Sequence, residues 1–195
     1  MKTALLVIDA QKIYTDPESE LFCADSKATI GRINKLIDNF KKANLPVYYV
    51  RHVHKLDGSD IGHLFDFDGE ADEDFNFREG SDEVEYDGAV PIINGAKEII
   101  KTRYSAFVGT KLYEQLKKEG VARVVVCGFM TNFCCESTAR NALDLDFYVN
   151  FVLDATGTPG TENMDENEVR KIVGEFMESG FARVMSTAEF LKRNK

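Results

Sequence analysis

The sequence predicts an α/β fold, a three-layer α-β-α sandwich around a mainly parallel, doubly wound sheet of six strands. Two observations carry this. Short apolar runs rich in β-branched and aromatic residues recur along the chain, as buried strands require, and stretches of helical period lie between them. Strands that alternate with helices become parallel neighbours through right-handed crossovers, which cover both faces of one sheet.

Taken in order, a first strand is expected near 3–9, where Leu5-Leu6-Val7-Ile8 runs into Asp9. Ile30, Ile33 and Ile37 then keep helical spacing, and Val47 to Val50 mark a second strand near 46–51. A third, short strand is expected near 98–101 and a helix around Leu112 and Leu116. Val121 to Cys127 place a fourth strand near 122–127, and Phe147 to Leu153 a fifth near 147–153. Val169, Val173, Phe176 and Met177 give the next helix its apolar face, and a sixth strand is expected near 182–185.

One stretch breaks the rhythm. Residues 57–87 hold thirteen Asp or Glu against one basic residue, Arg78, so they supply −12 to a net charge of −9 and leave the rest slightly basic. Between His54 and Val90 the four residues Phe65, Phe67, Phe75 and Phe77 lie among these carboxylates with neither helical nor strand period. An insertion this long in a compact domain typically serves function, so 54–90 is expected to be a lid over a site or a subunit contact. A solvated excursion anchored by its Phe residues is the plainer alternative.

At 195 residues the chain is expected to form a single domain over 1–195. No apolar run approaches the roughly 20 residues of a membrane span, and the N-terminal run meets Asp9 too early for a signal peptide. The four cysteines, 23, 127, 134 and 135, form no CxxC pair and suit free thiols in a reducing cytoplasm. An acidic chain without a basic patch argues against nucleic acid and against an anionic membrane, and favours a small-molecule partner.

In an open parallel sheet, ligands bind beyond the carboxyl ends of the strands. Three strand ends deliver a carboxylate, an ammonium and a thiol: Asp9, Lys101, and Cys134 in Gly128-Phe129-Met130-Thr131-Asn132-Phe133-Cys134-Cys135. Singly, each has an ordinary explanation as a turn cap, a solvated cation or a small core residue. Together they supply what an unactivated thiol lacks: a carboxylate base, a neighbouring cation, and the start of a helix that runs from Cys134 to Leu143, with Thr131 and Asn132 as its expected caps.

The blocks Leu6-Val7-Ile8-Asp9-Ala10-Gln11, Lys101-Thr102-Arg103-Tyr104-Ser105-Ala106-Phe107 and Gly128 to Arg140 resemble, in order and spacing, the signature blocks of isochorismatase-like cysteine hydrolases, which include nicotinamidases and N-carbamoylsarcosine amidohydrolases. The resemblance implies an Asp9–Lys101–Cys134 triad cleaving a small amide, carbamoyl or ureido C–N bond through a thioester. In it Asp9 is the base, Cys134 the nucleophile, and Lys101 the cation that lowers the thiol pKa. The family pattern Gly-x-x-Thr-x-x-Cys selects Cys134 over Cys135. It further implies a cis Phe129–Met130 peptide, an oxyanion hole from the backbone N–H groups of Met130 and Cys134, and pocket positions for Tyr14 and Tyr104. Homo-oligomers, dimers or tetramers, are common among such proteins.

The three histidines, His52, His54 and His63, fall where nicotinamidases of this superfamily place an Asp-x-His and a further His around a metal, but His52 stands in place of the Asp and His63 is more distant. No metal ligand and no cofactor are assigned on that pattern, and nicotinamide is weakened as a substrate. Three rival readings remain. They are vinyl ether hydrolysis of the isochorismatase type with Asp9 as acid, a non-catalytic binding protein on the same fold, and thiol redox chemistry through the adjacent cysteines.

Overall fold

A computed structural model describes residues 1–64, 66, 68–69 and 75–193. Six strands, β1 (Lys2–Ile8), β2 (Val47–His52), β3 (Lys97–Lys101), β4 (Val121–Phe129), β5 (Tyr148–Gly157) and β6 (Arg183–Met185), form one sheet in the order β3-β2-β1-β4-β5-β6. Every neighbouring pair is parallel. The helices are α1 (Ser26–Lys42), α2 (Leu112–Lys118), α3 (Glu136–Asp144), α4 (Glu166–Gly180) and α5 (Thr187–Arg193).

The central strands β1 and β4 are largely apolar and buried because helices cover both sides of the sheet, whereas the edge strands β3 and β6 carry exposed charged residues. Leu5 and Val7 of β1 pack with Ile33, Leu36 and Phe40 of α1 and Phe190 of α5 on one face. The intervening Ala4, Leu6 and Ile8 pack with Leu116 of α2, Ala139 of α3 and Val173 and Met177 of α4 on the other. Asp165 caps α4 in a reciprocal box with Glu168, and α1 is followed by Asn44 in the left-handed region (φ 52°), a residue type that tolerates it. Among the described residues no helix is long and apolar enough to cross a membrane.

Several boundaries differ from the sequence expectation for physical reasons. β4 runs on to Phe129 and β5 to Gly157, with a register shift between Val126 and Gly128. The polar Asp154 and Thr156 read as the end of β5, but Asp154 accepts hydrogen bonds from the backbone and hydroxyl of Thr187, and Thr156 bonds Thr131. Val169, Val173 and Met177 form the buried stripe of α4, whereas Phe176 is 57% exposed. Thr131 and Asn132 do not cap a helix. They open a π-helical turn, Thr131–Cys135, and their side chains bond Thr156 and Thr158 instead.

Among the described residues no α-helix joins β2 to β3; the acidic segment, with one 3₁₀ turn at Asp82–Val84, makes that crossover. Its far end is pinned to the turn after β1, through Lys12 N–H to Glu85 O (2.8 Å) and Asp87 N–H to Ala10 O (2.9 Å). Phe77 and Val84 are buried in the core, while Phe65 and Phe67 lie outside the described residues.

The chain order reverses between β1 and β4, the point at which such sheets open a crevice. Ile8 and Gly128 pair there, with Gly128 at φ 124° and an added Cβ only 1.8 Å from Ile8 O. Gly128→Ala is therefore expected to cost about 4 kcal/mol or more, or to prevent folding, because strain and a backbone clash combine. Gly31→Ala, inside α1 with open space around it, should instead stabilise by about 0.4–1 kcal/mol. Urea denaturation of the two variants checks the contrast.

Candidate active site

The switch point collects the three reactive groups. Asp9 follows β1 with a left-handed backbone (φ 44°), Lys101 ends β3, and Cys134 sits in the π-helical turn after β4. All three are buried, at 0%, 1% and 2% exposure. Lys101 Nζ lies 2.8 Å from Asp9 Oδ2 and donates to Cys134 Sγ at 3.2 Å. Apart from Lys101 and the adjacent thiol, no donor among the described residues reaches either Asp9 oxygen.

This burial sets the proton inventory. Desolvation raises the Asp9 pKa above the usual carboxylate range, with Lys101 opposing it. Burial works against the Lys101 charge too, but Asp9 and Cys134 outweigh it and hold the ammonium above its ordinary value. Burial pushes the Cys134 thiol up to about 12; Lys101 pulls it down, and the Asp9 charge adds to the rise. Lys101 thus acts on the thiol in the direction expected of a neighbouring cation, but burial is the larger influence.

The Phe129–Met130 peptide is cis. The Met130 carbonyl accepts from the N–H groups of Phe133 (3.2 Å) and Cys135 (3.1 Å), which flank Cys134 and hold its turn. Cys135 faces the core, its thiol raised by burial. Tyr14 is buried, stacked on Phe129 with ring centroids 5.4 Å apart, and Tyr104 packs against Phe133 at 5.2 Å. Burial foremost, then the Cys134 charge, raises both phenols.

Three further residues lie around these groups and were not singled out as site residues in the sequence. Gln11, fully buried, accepts from His52 N–H (2.9 Å) and donates to the His52 and Val84 carbonyls (3.0 and 2.9 Å), tying β1's end to β2 and to the acidic segment. Phe77 stacks on His52 at 4.5 Å, and Phe133, packed against Tyr104, is 37% exposed. Gln11 was visible only as one letter of a motif. The Phe77 contact depends on a loop path that periodicity does not encode.

The histidines divide. His52 and His54 are buried with their Nε2 atoms 3.0 Å apart, whereas the His63 side chain is 94% exposed and 3.8 Å from Asp66. Among the described residues no third His, Cys, Asp or Glu completes a ligand set with His52 and His54. Asp9, His52 and Cys134 do bring one ligand atom each within 4.8 Å of one another, but the Lys101 ammonium already bonds the first and the last. A divalent ion there would meet that cation at close range, and His52 and His54 alone fall short of the three or four protein ligands that a structural or catalytic site takes. The metal set implied by the nicotinamidase resemblance does not fit these residues.

A family model described as an isochorismatase domain matches residues 3–189. Nicotinamidase 3 of Arabidopsis thaliana is 37% identical over 163 residues, covering 80% of this chain and 73% of that protein. A cysteine hydrolase from Pseudomonas syringae pv. phaseolicola 1448A superimposes with a TM-score of 0.91 at 28% identity, covering 99% of this chain and 92% of the other. An N-carbamoylsarcosine amidase from Thermoplasma acidophilum gives 0.76 at 26% identity, with 96% and 97% covered.

Lys101→Met removes the only influence among these that favours the thiolate. Its Cys134 should then be alkylated by iodoacetamide at least about tenfold more slowly at pH 8, with the rate profile displaced to higher pH. Rates measured from pH 6 to 10, with Cys134→Ala as the blank, check the sign.

Proposed function

The chain belongs to the isochorismatase family of hydrolases, and from that premise we propose that it is a cysteine-dependent amidohydrolase cleaving a small amide, carbamoyl or ureido C–N bond. The observation that carries this reading is the buried Lys101 ammonium bonded at once to the Asp9 carboxylate and the Cys134 thiol. A carboxylate alone serves ether hydrolysis. A nucleophile held beside it serves acyl transfer.

In this mechanism the substrate carbonyl displaces what water the pocket holds, and Asp9 takes the Cys134 proton as sulfur attacks the carbonyl carbon. Charge develops on the carbonyl oxygen, for which the N–H groups of Met130 and Cys134 are the assigned donors. The C–N bond breaks as Asp9 returns its proton to the departing nitrogen, leaving a thioester on Cys134. Asp9 then takes a proton from water, hydroxide adds to the thioester, and collapse restores the thiol and releases the acid. Lys101 stays cationic throughout, offsetting charge that passes between Asp9 and sulfur. A pKa raised by burial suits Asp9 to both directions of transfer. Tyr14, Tyr104 and Phe133 would present aromatic faces to a planar amide.

Ammonia or amine release over a panel of small amides, ureido acids and carbamoyl compounds, with isochorismate alongside, tests the reading. Cys134→Ala should lose about 10³-fold or more of kcat, while Cys135→Ala keeps most of it. Isochorismate cleavage that survives in Cys134→Ala would instead establish ether chemistry through Asp9.

A further inference from the structure

The imidazole pair beside the triad is not used by the mechanism above, and its hydrogen bonds fix where its protons sit. Asp60 Oδ1 accepts from the Lys55 N–H (3.1 Å) and lies 3.3 Å from His54 Nδ1. Asp60, as a carboxylate, accepts there too, so the proton of His54 is on Nδ1 and its Nε2 carries a lone pair. That lone pair faces His52 Nε2 at 3.0 Å, so the proton of His52 is on Nε2. Burial favours the neutral form of both rings; the Lys101 and Arg103 charges act in the same direction on each, and Asp60 opposes them at His54. His52 therefore keeps a bare Nδ1, an acceptor with no proton to give.

His52 cannot easily turn to change this. Its ring is 1% exposed, Phe77 stacks on it at 4.5 Å, and Gln11 holds its backbone on both sides. It pairs in register with Lys101 across β2 and β3, and one of its ring nitrogens lies within 4.8 Å of both an Asp9 oxygen and the Cys134 sulfur. Any compound whose carbonyl carbon meets Cys134 brings its substituents to within reach of this ring.

We propose that His52 is a specificity-determining residue whose fixed acceptor takes a substrate N–H next to the scissile carbonyl, so that the preferred substrates are ureido or carbamoyl compounds. This rests on the amidohydrolase reading and narrows it. A ring that bears only an acceptor nitrogen at this point, as a pyridine does, would set lone pair against lone pair. A carbon in place of the N–H leaves a buried acceptor without a partner, which is how polar sites reject close isosteres.

N-carbamoylglycine and succinamic acid form a matched pair of probes, identical except for N–H in one and CH₂ in the other. The first arm reads the ring nitrogens directly in uniformly ¹⁵N-labelled Cys134→Ala protein by long-range ¹H–¹⁵N correlation. With three histidines in the chain, His52→Asn and His63→Asn spectra assign them. The expected result is an unprotonated His52 Nδ1 that shifts on saturation with N-carbamoylglycine and far less with succinamic acid. A protonated Nδ1, equal responses, no response, or stoichiometric capture of added Zn²⁺ by His52 and His54 would overturn the proposal. The second arm compares kcat/KM for the two probes. Their ratio should fall at least tenfold in His52→Leu and recover in part in His52→Asn, which restores an acceptor; an unchanged ratio would overturn it. Wild-type protein that hydrolyses neither probe, with the first arm as expected, would fault the amidohydrolase reading and leave the His52 assignment standing.

Discussion

The contact on which the site depends is the ion pair between Lys101 and Asp9, 2.8 Å long and without solvent exposure on either side chain. Two charges this deep lose their hydration, and their attraction offsets the loss only when geometry is held firm. Much of the surrounding structure has that effect. β1 and β3 are not neighbours, yet β2 between them fixes their spacing, with Ile8 paired to Val50 and His52 to Lys101. Gln11 locks β2's end in place from one side, and the turn after β4 brings Cys134 against the same ammonium from the other. Removing either charge would leave the other buried and unpaired, a loss of about 3–5 kcal/mol, so the pair is a folding constraint in its own right.

The same burial opposes ionisation of the Cys134 thiol. Desolvation is the first influence on Asp9, Lys101 and Cys134 alike, opposing charge on each. Only one opposite-charge pair is stable there, and the ammonium and carboxylate take it. A thiolate would add a second anion against a single cation. In the proposed mechanism it becomes favourable when the sulfur's charge passes onward to a carbonyl oxygen met by backbone N–H groups, that is, when substrate is present.

Much of this was legible in the sequence, and the limits have physical causes. Runs such as Leu5 to Ile8 and Val121 to Cys127 announce strands because a sheet covered on both faces needs them apolar on both. The strand ends then locate Asp9, Lys101 and Cys134, since parallel strands all present their carboxyl ends to one edge. The ends of β4 and β5 were harder, because Gly128, Asp154 and Thr156 look like loop residues and are retained in strands by long-range bonds to Ile8, Thr187 and Thr131. Phe176 shows the opposite failure: it keeps the helical period of α4 but faces outward. The position of Phe77 over His52 follows from the path of the acidic segment, which has no period to read.

The replacement of a carboxylate by His52 in the Asp-x-His pattern changes more than one ligand. A carboxylate at that place would add a second anion beside Asp9, and a divalent cation is the natural means of neutralising such a pair. A neutral imidazole adds no charge, so Lys101 and Asp9 remain balanced without any ion. His52 must also stay neutral for this balance to hold, because an imidazolium in register with Lys101 would set two cations side by side in a low-dielectric pocket. His54 accepts the one N–H that His52 has to offer, and Asp60, accepting from His54 Nδ1, holds His54 in the tautomer that can do so. The histidine pair and the triad are thus electrostatically consistent only as they stand, with one ammonium, one carboxylate and uncharged groups between them and the acidic segment.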